Sequence, residues 1–433
     1  MRRVAQLCSV FPEQALVARR LLERQAKGGE SKVRKGHEFD AAPLLAYLHP
    51  VCGVPEDPAL CEISQFTHGQ SNPTFTVRWD GGAVVVRKQP KGTLLRGAHD
   101  VGREHAFAVH LRPLGVAAPR ARAYCEDTQV LGTEFWVYDY AEGRHFRDPY
   151  LEKAEASERP AIFRSAVDVL ATLHGAAPPE ALVERLGGAP KAGYLGRQVK
   201  TWTRQFAAAD EKLGEATDPA VLDHAAALRA ACEAHGGAVD ETSLAPGEFF
   251  VAHGDFRTDN MIFATDSADV VALLDWELAA LGHPVGDLAY ICMPYAIPPL
   301  LAGPLTGFLG LDRRKHGVPD LAHLVGTYAT AAQRQGPRAK ILETLTRQAL
   351  PHFDLFTAVS YFRIAAIVRG VYSRAKAGTA SAANADAVGA LADTLLDVSL
   401  DAAKKHAAVV AGTAPPLTWD DALAAAPPAA AAR

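Results

Sequence analysis

The sequence has little of what marks several large protein classes. Its 433 residues include only six cysteines, Cys8, Cys52, Cys61, Cys125, Cys232 and Cys292, with no C-x-x-C pair among them. That scatter excludes a dense disulfide framework and is expected of a reduced, cytoplasmic protein. Charge of one sign is also lacking. A net charge of −4 gives no field to hold nucleic acid or an anionic membrane nonspecifically. The uncharged stretch 289–310 contains Pro294, Pro298, Pro299 and Pro304, which would break a spanning helix repeatedly. It reads as buried loop and short helix. No secretory leader is expected, because Pro12 and Glu13 precede any apolar run. Internal repeats are absent.

The remaining composition is ordinary for a globular chain, with 48% hydrophobic and 22% charged residues. Residues 1–37 hold nine Lys/Arg against three Glu and read as a flexible basic extension, with organelle targeting as the alternative. Residues 38–141 are strand-rich. Asp40 should cap a helix over 41–48 with Pro43 in its first turn. Thr74, Thr76, Val77 and Trp79 suit a pleat, Asp80-Gly81-Gly82 a hairpin turn, and 83–87 the return strand. A helix containing Glu104 follows, then a strand pair ending in TEFWVYDYAEG. Residues 142–411 read as mainly helical. Leu195, Val199, Trp202 and Phe206 form one apolar stripe, and only the short strands MIF (261–263) and VVALLDW (270–276) interrupt. The tail 412–433 is low-complexity and expected to be disordered. The fold class is therefore α+β, a small antiparallel-sheet lobe followed by a larger helical one.

The chemistry concentrates in VAHGDFRTDN, residues 251–260. Its spacing matches a kinase catalytic loop, in which an aspartate takes the acceptor hydroxyl's proton and an asparagine five residues later holds magnesium. Asp255 and Asn260 fill those slots, with His253 and Arg257 in the same loop. Asp275 closes the next hairpin and can face the same metal. Upstream, HGQSNPTF lies between two strands, where a phosphate-covering loop belongs. Gly69 permits close backbone approach, and Gln70, Ser71 and Asn72 offer donors. On the next strand, alternation puts Val85 and Arg87 on one face and Val84, Val86 and Lys88 on the other. Arg87 is the favoured phosphate-side cation and Lys88 the fallback, with Glu104 its expected partner. Asp139, Tyr140 and Ala141 would form the hinge whose backbone reads adenine. The same collinear order over about 200 residues is what makes these weak signals count together.

With those residues in place, the chain resembles the aminoglycoside phosphotransferase-like small-molecule kinases. The likeness is closest to the kinase-like domain of acyl-CoA dehydrogenase family members 10 and 11 and its free-standing bacterial relatives. It rests on FTHGQSNPTFTV, VVVRKQP, GYLGRQVKTW, VAHGDFRTDNMIF, LLDWELAALGHPVGDLAY and YFRIAAIVRGVYSRAKAG, spanning roughly residues 40–405. The resemblance implies a bilobal protein-kinase-like fold and ATP and Mg²⁺ as cofactors. It makes Asp255 the base, Asn260 and Asp275 the metal ligands, and His253 and Asp287 supports of the loop. His283 and Gly286 depart from the family pattern, where a more acidic or small residue and an alanine are expected.

Eleven residues between Asp275 and Asp287, with no A-P-E after them, leave little room for a peptide-docking shelf. A small-molecule acceptor is expected instead. Segment 351–376 carries Arg363, Arg369, Arg374 and Lys376 against one acid, Asp354. Arg363 and Arg374 lie three helical turns apart, on one face. With Arg197, they suit an anionic acceptor such as a hydroxyacyl-CoA. The alternatives are a kinase for another alcohol (antibiotic, choline or sugar), or a nucleotide-binding pseudokinase acting as a partner module.

Overall fold

In the computed structural model the chain is described over residues 30–427, apart from 35, 67–71, 91–98, 191–192, 240–243, 246–247, 299–305 and 378–384. The extension over 1–29 and the loop residues Gly69, Gln70 and Ser71 lie outside the described residues. A six-stranded antiparallel sheet has the order β1-β2-β3-β4-β6-β5, from β1 (Glu30–Ser31), β2 (Glu62–Phe66), β3 (Thr74–Trp79), β4 (Gly82–Lys88), β5 (Ala121–Cys125) and β6 (Phe135–Asp139). Pairing of Glu30 with Phe66 and Ser31 with Gln65 brings the end of the basic segment into the sheet.

Strand alternation divides this sheet between two cores. Phe75, Val77, Val84, Val86, Phe135 and Val137 bury their side chains against α1 (Ala41–Cys52), through Leu44, Leu45 and Leu48. Each of those leucines contributes roughly 1.5–3 kcal/mol by burial. Asp40 accepts the Ala42 N–H and Gly53, at φ +71°, closes the far end, so the cap expected from the sequence is present on a longer helix. The opposite face, with Val85, Trp136 and Tyr138, joins the main core and meets α2 (Val101–Leu111).

Beyond β7 (Arg144–His145) the chain is mainly helical. Helices of seven residues or more are α3 (Arg159–Gly175), α4 (Tyr194–Leu213), α5 (Pro219–Ala234), α6 (Pro284–Ile291), α7 (Leu321–Ala332), α8 (Ala339–Ala349), α9 (Phe353–Lys376), α10 (Ala385–Val410) and α11 (Trp419–Ala425). Helix α9 is buried on nearly every side from Phe353 to Val368 and is the spine of this lobe. The stretch 336–376 is long and apolar enough to cross a bilayer, but 72% of its apolar window is buried inside the protein.

Two small sheets carry the cleft side. One has the order β10-β9-β7, from β9 (Met261–Phe263) and β10 (Val270–Leu273), and the other pairs β8 (Phe250–Ala252) with β11 (Ala280–Gly282). The second sheet was not foreseen, since three-residue strands show no periodicity. β10 also stops earlier than VVALLDW suggests, because Asp275 adopts φ +64°, which cannot continue a pleat.

The tail is a correction. Thr418 caps α11, Trp419 and Ala422 are buried against α7, and Arg347 reaches over to Asp420 at 2.8 Å. Alanine-rich composition hid one large anchoring ring. Trp419→Ala should therefore lower the unfolding free energy by about 3–5 kcal/mol in urea denaturation, where a disordered tail would leave it unchanged.

Candidate active site

The site begins where β8 ends. Gly254 sits at φ +81°, and a Cβ there would meet the Leu278 carbonyl oxygen at 2.4 Å, so only glycine fits this turn. Asp287, buried in the first turn of α6, accepts the His253 N–H at 2.6 Å and the Gly254 N–H at 2.8 Å. The His253 ring accepts the Asp255 N–H through Nδ1 (3.3 Å) and donates through Nε2 to the Leu274 carbonyl (2.9 Å). That pattern requires a neutral imidazole, and burial lowers its pKa accordingly. Trp276 stands edge-on to the same ring at 4.8 Å.

The loop so fastened presents Asp255. Burial alone would raise its carboxyl pKa, but Arg257 and Arg363, helped by Tyr290 and Asn260, bring it below the ordinary value. Arg257 lies 3.2 Å from both Asp255 and Asp259. Burial pushes Asp259 up to about 6, against the pull of Arg257. Asn260 donates through Nδ2 to the Asp255 carbonyl (2.8 Å) and carboxylate (2.9 Å). Its amide oxygen is thus the atom it can offer a cation. The Asn260 carbonyl accepts the Leu274 N–H at 2.8 Å, which sets Asp275 beside it across the β9–β10 hairpin.

Arg87 ties this lobe to the sheet. Its guanidinium is 2.7 Å from Glu104, 2.9 Å from Asp275 and 3.8 Å from Glu277. Burial disfavours the charge, yet Glu104 and Asp275 hold its pKa above the usual value. Glu104 itself is pushed up to about 6 by burial, which Arg87 and Asn72 only partly offset. Lys88 faces the other way, donating to the Leu131 carbonyl at 2.6 Å, so the alternation read from the sequence puts Arg87, not Lys88, in the cleft. Asn72 differs from its expected place as a loop donor: its Nδ2 is spent on Glu104 at 2.7 Å, and its Oδ1 lies 3.1 Å from His99 Nδ1.

Next to this cluster, between the lobes, is a cavity of about 310 Å³. Its walls include Val85, Ala272 and Leu274, with Tyr138, Asp139, Tyr140 and Ala141 along one edge. The Asp139 carboxylate turns aside to Arg122 at 2.5 Å, and the Asp139 and Tyr140 N–H groups donate to the Arg120 and Ala83 carbonyls at 3.0 and 3.3 Å.

The three arginines expected at the acceptor part company. Arg363 is 4% exposed, its guanidinium centre 5.0 Å from the Tyr290 ring and 5.5 Å from that of Trp202. Among the described residues, neither its Nε nor its Nη2 has a hydrogen-bond partner. Tyr194, Gln198, Gly254 and Tyr290 line the small cavity beside it. Arg374 is exposed on the same helix, within the field of Glu277. Arg197 instead donates to the Leu281 carbonyl at 2.7 Å, and Arg369 is committed to Asp210 and Glu215. Both brace helices. Sequence reasoning missed Tyr194, Gln198, Tyr290 and Glu277, each ordinary in its own segment. The unusual Gly286 was the available signal for Tyr194: a Cβ there would lie 2.7 Å from the tyrosine ring. His283 caps α6, accepting the Val285 N–H at 3.2 Å.

A small sheet lobe joined through a buried cation–carboxylate pair to a helical lobe with this loop defines a kinase-type enzyme. The chain belongs to the phosphotransferase enzyme family, whose model matches residues 62–323. It is 35% identical over 385 residues to the chicken acyl-CoA dehydrogenase family member 11, covering 87% of this chain and 45% of that protein. With the mouse family member 10 it shares 34% identity, covering 86% and 32%. The chain thus spans less than half the length of these curated relatives. Among solved structures, a putative aminoglycoside phosphotransferase from Ralstonia eutropha JMP134 is 30% identical (TM-score 0.63), covering 85% of this chain and 99% of that one. A choline kinase from Cryptosporidium parvum Iowa II shares the fold at 15% identity and TM-score 0.57, covering 87% and 98%.

The loop geometry makes one glycine diagnostic. Gly254→Ala should cost about 1–3 kcal/mol of stability. Gly196→Ala, in α4 with no atom within 4 Å of the place a Cβ would take, should be neutral or gain up to about 1 kcal/mol. Urea titrations of the two variants check the contrast.

Proposed function

We propose that the enzyme transfers the γ-phosphoryl group of ATP to a hydroxyl of a small, anionic metabolite, with a hydroxyacyl-CoA as the leading candidate. The observation that carries this reading is a buried arginine with two unpartnered nitrogens, Arg363, acting on the same carboxylate, Asp255, that the loop holds ionised. An anionic group on the acceptor would satisfy that guanidinium and bring the hydroxyl toward Asp255. Cationic acceptors such as choline or an aminoglycoside would have to place positive charge against it. The acyl-CoA names of the curated relatives favour a thioester whose phosphates suit guanidinium groups.

The residues present fit ATP and a divalent cation. The cavity against Tyr138–Ala141 is within the size range of ligand pockets and has apolar walls for a base. Three carboxylates, Glu104, Asp275 and Glu277, lie about the guanidinium of Arg87; with Arg374 facing Glu277 they still outnumber the cations, which suits Mg²⁺. Asn260 and Asp275 would hold the ion, which when bound neutralises charge on the phosphates. Asp255 orients the acceptor hydroxyl. As the new P–O bond forms and ADP leaves, the hydroxyl proton passes to this carboxylate. A weak base suffices, because in a loose transition state the proton becomes acidic only late. Arg257 and Asn260 keep Asp255 aimed and charged.

An ADP-release screen over hydroxyacyl-CoAs, aminoglycosides, choline and sugars tests the reading, with turnover expected for the CoA-linked acceptors. Asp255→Ala should lower kcat by about 10²–10⁴ while ATP still binds. Near-normal turnover in that variant would remove Asp255 from its role. Arg363→Gln should raise the KM for the acidic acceptor about 10-fold or more and leave the KM for ATP alone. Equal effects on both would end the case for an anion at Arg363.

A further inference from the structure

Away from the cleft, three imidazoles converge from separate elements. His235 closes the C-terminal end of α5, His352 ends the turn that leads into α9, and His406 lies on α10. One ring nitrogen from each falls within 4.8 Å of the other two. His352 Nδ1 and His406 Nε2 are 3.1 Å apart. The His235 ring lies 4.5 Å from that of His352 and 5.2 Å from that of His406, centroid to centroid.

We propose that His235, His352 and His406 form a binding site for a zinc-class divalent cation that clamps the ends of α5, α9 and α10 together. A tetrahedral ion with Zn–N bonds of about 2.0–2.1 Å places its nitrogen ligands roughly 3.3 Å apart. The His352–His406 pair already stands near that separation, and rotation of the half-exposed His235 ring closes the rest. Three neutral imidazoles select zinc, cobalt, nickel or copper over magnesium and calcium, which prefer oxygen. His406 is buried while His235 and His352 are partly exposed, so the fourth ligand is a solvent molecule or a small anion. Among the described residues, one hydrogen bond, between His352 and His406, joins these rings. Nothing in the phosphoryl-transfer chemistry uses them. The site sits at the foot of α9, three helical turns before Arg363, so an ion there would fix the base of the helix that carries the acceptor arginine.

Tag-free full-length protein titrated with CoCl₂ in excess MgCl₂, which occupies the oxygen donors of the cleft, provides the test. Binding at the imidazoles should give intense visible absorption typical of four-coordinate cobalt, saturating at one equivalent and abolished by ZnCl₂. His352→Gln and His235→Ala should each weaken cobalt affinity at least about 10-fold. ZnCl₂ at a hundredfold excess over its Kd should raise the Tm of the wild-type chain by about 3 °C and raise that of the variants by no more than about half as much. Absence of the cobalt band together with no zinc-dependent Tm shift in the wild-type chain overturns the proposal without reference to any variant. Full cobalt affinity in both variants overturns it as well.

Discussion

The side chain of Arg87 is the interaction on which the arrangement of the cleft depends. It is nearly buried, rises from the central strand of the sheet, and is gripped by Glu104 of α2 and Asp275 of the helical lobe. Such a charge is tolerable only while its partners remain; removing one partner of a buried pair typically costs about 3–5 kcal/mol. Asn72 holds Glu104 from behind, and the left-handed backbone at Asp275 aims that carboxylate back at the sheet. One guanidinium therefore registers the two lobes against each other. The opposite half of the cleft is fixed by Asp287, which anchors two successive backbone N–H groups of the loop carrying Asp255.

These two anchors divide the labour. In the proposed reaction, Arg87, Asp275 and the amide oxygen of Asn260 serve the phosphate side, where charge must be balanced. In the same proposal, Asp255, Arg363 and Tyr290 serve the acceptor side, where a hydroxyl must be placed and relieved of a proton. Asn260 touches both, since its amide nitrogen steadies Asp255 while its oxygen remains for a cation. Family membership makes the chain a phosphotransferase. On that proposal the choice of alcohol rests with the second group.

That division also explains how much was legible in the sequence. Asp255, Asn260 and Asp275 sit on one short hairpin, so spacing alone placed them together. Strand alternation separated Arg87 from Lys88 because a pleat fixes faces two residues apart. Glu104 could be paired by order along the chain. The bed of Arg363 could not: Tyr194, Trp202 and Tyr290 come from α4 and α6, and apart from the unusual Gly286 nothing in the sequence brings them together. Arg197 and Arg369 looked equivalent to Arg363 as charges on helices, yet long-range contacts with Leu281, Asp210 and Glu215 made them braces. The anchoring of Trp419 under α7 was likewise invisible beneath an alanine-rich composition, and the strands of three residues were too short to show a period.

The outward turn of Lys88 has a chemical consequence. Reagents that acylate an amine near bound phosphates identify many nucleotide-binding enzymes, because a strand lysine there is a reactive nucleophile. In this cleft the equivalent strand position holds a guanidinium, which resists acylation at neutral pH, and the neighbouring amine is locked against the Leu131 carbonyl on the far side of the sheet. Strand β4 would thus be silent toward such probes.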